Sequence, residues 1–129
     1  MECAQVYGRW YGVPRSQVLQ GFEGGNDVIL KIDVQGAETV RALAPEAVFI
    51  FMVPGSFQEL HERLTSRMTE NFQDMELRLK TADEELNRAP EFDYRVVNRD
   101  GNLTQAVAEI DAIITAEKCR TQPRRVKLI

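Results

Sequence analysis

Strand-forming and helix-forming segments alternate along this chain, and the alternation predicts an α/β fold: a parallel sheet with flanking helices. Three runs carry the prediction. Residues 28–33 read Val28-Ile29-Leu30-Lys31-Ile32-Asp33, five residues of strand-forming type leading to a lone acid. Residues 47–53 are apolar throughout, as in a strand covered by helices on both faces. Residues 92–97 form the third strand, closed by Asn98.

The elements between them follow in order. Residues 1–15 hold Tyr7, Trp10 and Tyr11 with Gly8 and Gly12 between, and the Val6/Gly8/Trp10 alternation suggests a strand or hairpin. Ser16 is a candidate cap for a short helix bearing Val18, Leu19 and Phe22, which Gly24 and Gly25 end. A helix from about Ala37 to Leu43 stops at Pro45. Pro54-Gly55 breaks the second strand. Ser56 and Glu59 then make a capping box for a helix with Phe57, Leu60 and Leu64 on one face. A polar, helix-rich stretch runs from about Thr69 to Ala89, with Phe72, Met75, Leu79, Ala82 and Leu86 in a stripe. Asn102, with Gln105 three residues on, starts the last helix. Its expected buried face is Leu103, Val107, Ile110 and Ile114.

Composition narrows the function. The chain has 129 residues, 43% hydrophobic and 28% charged, the size of one ordinary domain or a large part of one. A net charge of −4 gives no general affinity for nucleic acid. The basic end (Arg120, Arg124, Arg125, Lys127) reads as a solvated tail. Two distant cysteines, Cys3 and Cys119, and a single histidine, His61, cannot build a Cys/His zinc site. No apolar run approaches the ~20 residues of a bilayer span, and no basic-then-apolar leader opens the chain. By elimination the expectation is a cytoplasmic protein with no membrane partner.

Three groups fall at the C-terminal ends of the expected strands: Asp33, the Pro54-Gly55-Ser56 turn and Asn98. In an open parallel sheet that edge holds ligands, often phosphate or nucleotide. The plain alternative for Asp33 is a turn residue. Arg63 and Arg67 share a helical face, and Arg78 follows on the next helix. Such arginines can surround a moving phosphoryl group, or simply pair with Glu62, Glu70 or Asp74 at the surface. Tyr11 can donate to a phosphate, and Glu2 can accept from the N–H groups of a purine. The alternative for both is aromatic packing on an edge hairpin. No G-x-x-x-x-G-K-[ST] occurs in the sequence, so a P-loop's phosphate cradle, lysine and Mg²⁺ hydroxyl are all lacking.

Taken in order, these residues resemble the guanylate kinase family, almost end to end. The stretch Glu2 to Arg15 resembles the family segment ending in Tyr-Gly-Thr-Pro. Ile32-Asp33-Val34-Gln35-Gly36-Ala37 resembles its second strand-end motif. Phe49-Ile50-Phe51 with Pro54, Ser56, Glu59, Leu60, Arg63 and Leu64 resembles the strand, turn and helix before the lid. Arg67-Met68-Thr69-Glu70 resembles the lid's Arg-Gly-Thr-Glu, continued by Arg78-Leu79, Ala82 and Glu85. Phe92-Asp93-Tyr94 and Val96-Val97-Asn98 resemble the final strand.

The resemblance implies ATP-dependent phosphorylation of GMP to GDP, with Mg²⁺ on ATP and no protein metal ligand assigned. GMP and ATP are the implied partners. Glu2 would read the guanine edge, Tyr11 would bind the GMP phosphate, and Asp33 would lie near the GMP base and the catalytic centre. Arg67 and Arg78 would clamp the transferring phosphoryl group. Arg63 would sit at the adenine end of ATP, and Asn98 would help hold the adenine.

It also implies a P-loop nucleoside monophosphate kinase fold that is truncated, its P-loop strand and most of the GMP-binding subdomain preceding Glu2. Residues 1–15 are then a remnant of the GMP-binding subdomain. Residues 16–66 are core, 67–90 the lid region, 91–120 the C-terminal strand and helix, and 121–129 the basic tail. Val13, Lys31 and Met68 depart from the family's hydroxyl, acid and glycine. In the family sheet the P-loop strand lies between those matching 28–33 and 47–53. Without it those strands are expected to pair directly, to self-associate through exposed edges, or to leave the chain marginally stable. Two other readings stand beside catalysis: a non-catalytic guanylate-kinase-like module binding nucleotide or protein, or an inactive fragment.

Overall fold

Among the described residues two short sheets organise the backbone. In this computed structural model the described residues are 2–6, 9–54, 77, 80, 83–99 and 101–128, with side chains placed from residue 12 onward except at Pro54. The chain divides into two compact units, residues 1–47 with 125–129, and residues 48–124.

The first unit opens with an antiparallel hairpin, β1 (Glu2–Val6) and β2 (Arg9–Val13), in register Glu2↔Val13 through Val6↔Arg9. Helix α1 (Arg15–Glu23) follows, and its N-cap is Pro14 rather than Ser16. Proline's fixed φ, here −63°, presets the entry, and the Pro14 carbonyl accepts from the Gln17 N–H. At the other end Gly25 takes φ 73°. The Gly25 N–H donates to Phe22 O and the Asn26 N–H to Gly21 O, closing a Schellman cap.

The expected strand over 28–33 is not formed. Among the described residues the sheets are β1–β2 and one other pair, and residues 28–33 belong to neither. Strand propensity needs a hydrogen-bonding neighbour to become a strand, and this run has no ladder partner. Direct pairing of 28–33 with the next strand is therefore not seen. Ile29 stands 77% exposed. Helix α2 (Val34–Leu43) begins three residues earlier than expected because Asp33 caps it, and it ends at Ala44, just before Pro45. Its Ala37 and Val40 are buried, and the helix lies against β1.

The second unit centres on a parallel pair, β3 (Ile50–Pro54) and β4 (Tyr94–Asn98), in register Ile50↔Tyr94 through Pro54↔Asn98. A 3₁₀ turn over Ala89–Glu91 precedes β4. Phe92 stacks edge-on against both Phe51 and Phe49, with centroids 5.0 and 6.4 Å away, contacts worth about 0.5–1.5 kcal/mol each beyond area burial. Phe51 and Val96 are core residues, but Met52 on the opposite face of β3 is 42% exposed, so β3 is not covered on both faces.

Helix α3 (Leu103–Lys118) packs on β4. Its expected buried face holds only in part: Ile110 and Ile114 are half-buried, but Leu103 and Val107 are 65% and 58% exposed, while Ala106 is 1% exposed. The small Ala106 side chain lets the helix approach β4 closely, which turns the neighbouring large residues outward. Residues 83–86 are helical. The expected helix after Ser56 and most of the 69–89 stripe lie outside the described residues. No helix among the described residues is long and apolar enough to cross a membrane.

The tail is not solvated at Arg124. Its Nε lies 3.1 Å from Glu117 Oε2 and its Nη2 3.4 Å from Asp93 Oδ1. The Tyr94 hydroxyl donates to Glu117 Oε1 at 2.6 Å. That bond is the main reason the Tyr94 pKa is raised and the Glu117 pKa lowered. Burial would lower the Arg124 pKa, but Asp93 and Glu117 outweigh it and the net shift is upward.

One glycine is held by packing. A Cβ built on Gly21 meets Val28 Cγ2 at 2.6 Å, so α1 and the 28–33 run touch where only glycine fits. Gly21→Ala gains roughly 0.5–1 kcal/mol of helix propensity and costs about 1–3 kcal/mol in overpacking. The expected outcome is net destabilisation of about 1 kcal/mol in urea unfolding. Gly25→Ala, in open space but at positive φ, is destabilising through the backbone alone.

Candidate functional site

Asp33 closes the irregular run and opens α2. Its φ and ψ of −84° and −178° are extended, and its Oδ1 accepts the Gly36 N–H at 2.8 Å. The short side chain of an acid at the N-cap satisfies one of the free N–H groups at the helix start. Asp33 is half-buried, and its capping bond uses one of its two carboxylate oxygens.

Glu2 and Tyr11 fall on the hairpin. The register pairs Glu2 with Val13 and Ala4 with Tyr11, so Glu2 and Tyr11 occupy positions on one hairpin face. With α2 against β1, three residues expected around GMP (Glu2, Tyr11 and Asp33) are gathered in the first unit.

The second unit holds the others. Asn98, half-buried, ends β4 directly opposite Pro54, so the two expected strand ends share one edge of a parallel sheet. Arg63, Arg67 and Arg78 belong to the same stretch of chain but lie outside the described residues. Alternation along β4 puts Arg95, Val97 and Arg99 on the face opposite Val96 and Asn98. There they line a polar groove of about 190 Å³ with Asn102, Gln105 and Glu109 of α3. Asn102 does not cap the backbone: its Nδ2 donates to Gln105 Oε1 at 2.7 Å, and Gln105 Nε2 reaches Glu109 Oε1 at 3.4 Å.

Comparison with known proteins identifies the family. The profile of the guanylate kinase family matches residues 1–117. The chain belongs to the guanylate kinase family. It is 48% identical over 120 residues to the guanylate kinase of Caldanaerobacter subterraneus subsp. tengcongensis, a match covering 93% of this chain and 57% of that protein. It is 41% identical over 129 residues to a guanylate kinase of Clostridium perfringens, covering 100% of this chain and 59% of the relative. The crystal structure of guanylate kinase from Anaplasma phagocytophilum superposes with a TM-score of 0.75 at 31% identity, covering 94% of this chain and 57% of that one. The α/β fold with a parallel sheet and flanking helices is thus that of a guanylate kinase. The chain spans a little over half the length of the relatives it matches.

Sequence reasoning missed the cluster of Asp93, Tyr94, Glu117 and Arg124. Arg124 lies 31 residues from Asp93, and no local pattern connects the two. It also missed the structural duty of Asp33 as a helix cap.

That duty can be separated from a role toward nucleotide. Asp33→Ala removes the cap and is expected to cost about 0.5–2 kcal/mol of stability. Asp33→Asn keeps an equally good capping oxygen and is expected to unfold within about 0.5 kcal/mol of the parent in urea. Loss of GMP affinity in Asp33→Asn at unchanged stability marks the carboxylate charge as functional.

Proposed function

We propose that this chain provides the acceptor side, the lid arginines and the adenine-side residue of a guanylate kinase, for the reaction ATP + GMP giving ADP + GDP. Family membership over residues 1–117 is the observation that carries the reading. In it a GMP phosphate oxygen attacks the γ-phosphorus of ATP while the bond to the β-phosphate oxygen breaks. Glu2 accepts from the guanine N–H groups and Tyr11 donates to the GMP phosphate. Asp33, fixed by the Gly36 amide, presents its remaining oxygen near the base and the catalytic centre. Arg67 and Arg78 neutralise the charge spreading over the transferred group. Arg63 and Asn98 hold the adenine end.

Mg²⁺ bound with ATP would supply charge neutralisation of its phosphates, and no residue of this chain is assigned to hold it.

The sequence contains no G-x-x-x-x-G-K-[ST], and phosphoryl transfer depends on such a cradle to position the donor. We therefore assign this chain a half-site. The same observation favours one second reading, a guanylate-kinase-like module that binds nucleotide or a protein ligand without turnover.

A coupled ADP-release assay with GMP and Mg-ATP tests the assignment. The expected result is no GMP-dependent ADP release by this chain. GMP-dependent release that Arg67→Ala abolishes overturns the half-site. Peptide binding without either nucleotide binding or turnover supports the second reading.

A further inference from the structure

The cluster around Arg124 lies outside every residue assigned to nucleotide. It joins three parts of the second unit that are distant in sequence. Asp93 uses both oxygens: Oδ2 accepts the Phe49 N–H at 2.8 Å, and Oδ1 faces Arg124 Nη2 at 3.4 Å. Glu117 does the same, with Oε1 taking the Tyr94 hydroxyl and Oε2 taking Arg124 Nε at 3.1 Å. Arg120 lies 3.7 Å from the same Oε2, half exposed. Each carboxylate thus spends one oxygen on the β3–β4 frame and the other on the guanidinium. Arg124 is 24% exposed and Glu117 10% exposed, so the arrangement is more than a pair of surface charges.

The fork geometry matters. A planar guanidinium presents N–H groups in fixed, divergent directions and spans two carboxylates from different elements more readily than a compact ammonium does. It ties the segment following α3 across the start of β4. There Phe49 O accepts both the Asp93 and Tyr94 N–H groups, which sets where β4 begins against β3. Register is an all-or-none property of a strand: a slip of one residue moves every side chain to the other face. Asn98 is the last residue of that strand.

We propose that Arg124 is a positioning residue. It latches residues 119–124 as a strap over the start of β4 and the end of α3, and so holds the register that sets Asn98 at the sheet edge. The strap stands on geometry alone, whereas its consequence for ATP rests on the guanylate kinase reading.

Hydrogen exchange on the whole chain, read by mass spectrometry, tests it. In Arg124→Ala the peptides containing Phe49, residues 94–98 and residues 119–123 are expected to exchange at least tenfold faster, with α2 unchanged. Arg124→Lys is expected to fall between. Exchange within twofold of the parent in all three peptides overturns the proposal.

If Arg124→Ala speeds every peptide equally, Asp93→Asn decides. It keeps an acceptor for Phe49 and removes the charge facing Arg124. Faster exchange confined to 119–123 supports the latch, and no change there overturns it. Mg-ATP affinity separates the two layers of the proposal. Where the parent binds, Arg124→Ala is expected to weaken binding at least fivefold and Arg124→Lys less, and unchanged affinity overturns the positioning role. A parent that binds no ATP counts against the guanylate kinase reading, and the exchange of residues 94–98 then decides the latch.

Discussion

The carboxylate of Asp93 is the joint on which the second unit depends. It receives the backbone N–H of Phe49, just before β3, and it stands at the entry to β4. A two-stranded parallel pair is the least self-sufficient of sheets, with few ladder bonds and slanted ones. It is supported here because its start is pinned by a side chain and one face of β3 is covered. Phe92 packs edge-on against Phe49 and Phe51, and α3, with Ala106 buried, packs on β4. The position of Asn98 follows from that pinning.

Much of this was legible in the sequence, and the failures share one cause. Gly24-Gly25 ended α1 and Pro45 followed the end of α2, because breakers act locally and need no partner. A strand or hairpin near the N-terminus was expected, but the Val6/Gly8/Trp10 alternation behind that reading runs from the end of β1 into β2 rather than along one strand. Residues 28–33 were misread as a strand because their propensity is real but a strand is a relation between two segments. Leu103 and Val107 were misplaced because helical period gives a face without saying which part of it a neighbour covers. Ala106, the residue that packs, carries almost no hydrophobic signal of its own. The Arg124 contacts depend on chain reversal after Cys119, which composition near the C-terminus does not encode.

For the candidate site the balance is similar. The type and order of its residues point to the guanylate kinase family, since that information is linear. The structure adds that the residues expected around GMP lie in one unit and Asn98 in the other. It also gives Asp33 a capping duty beside the proposed one: a carboxylate that caps α2 with one oxygen can offer the other to a ligand only in the orientation the helix start dictates. The charge and the cap are therefore coupled, and a substitution that ignores the cap will confuse folding with function.

The central claim is that this chain keeps two distinct nucleotide-facing sides, one at the start of α2 and one at the end of β4. The most direct measurement is a backbone amide NMR titration with GMP and Mg-ATP added separately. The account predicts that GMP shifts the Gly36 amide and leaves Asn98 in place, while Mg-ATP shifts Asn98 and leaves Gly36 in place. Both amides unmoved by both nucleotides, or Gly36 shifted as strongly by AMP as by GMP, would contradict it.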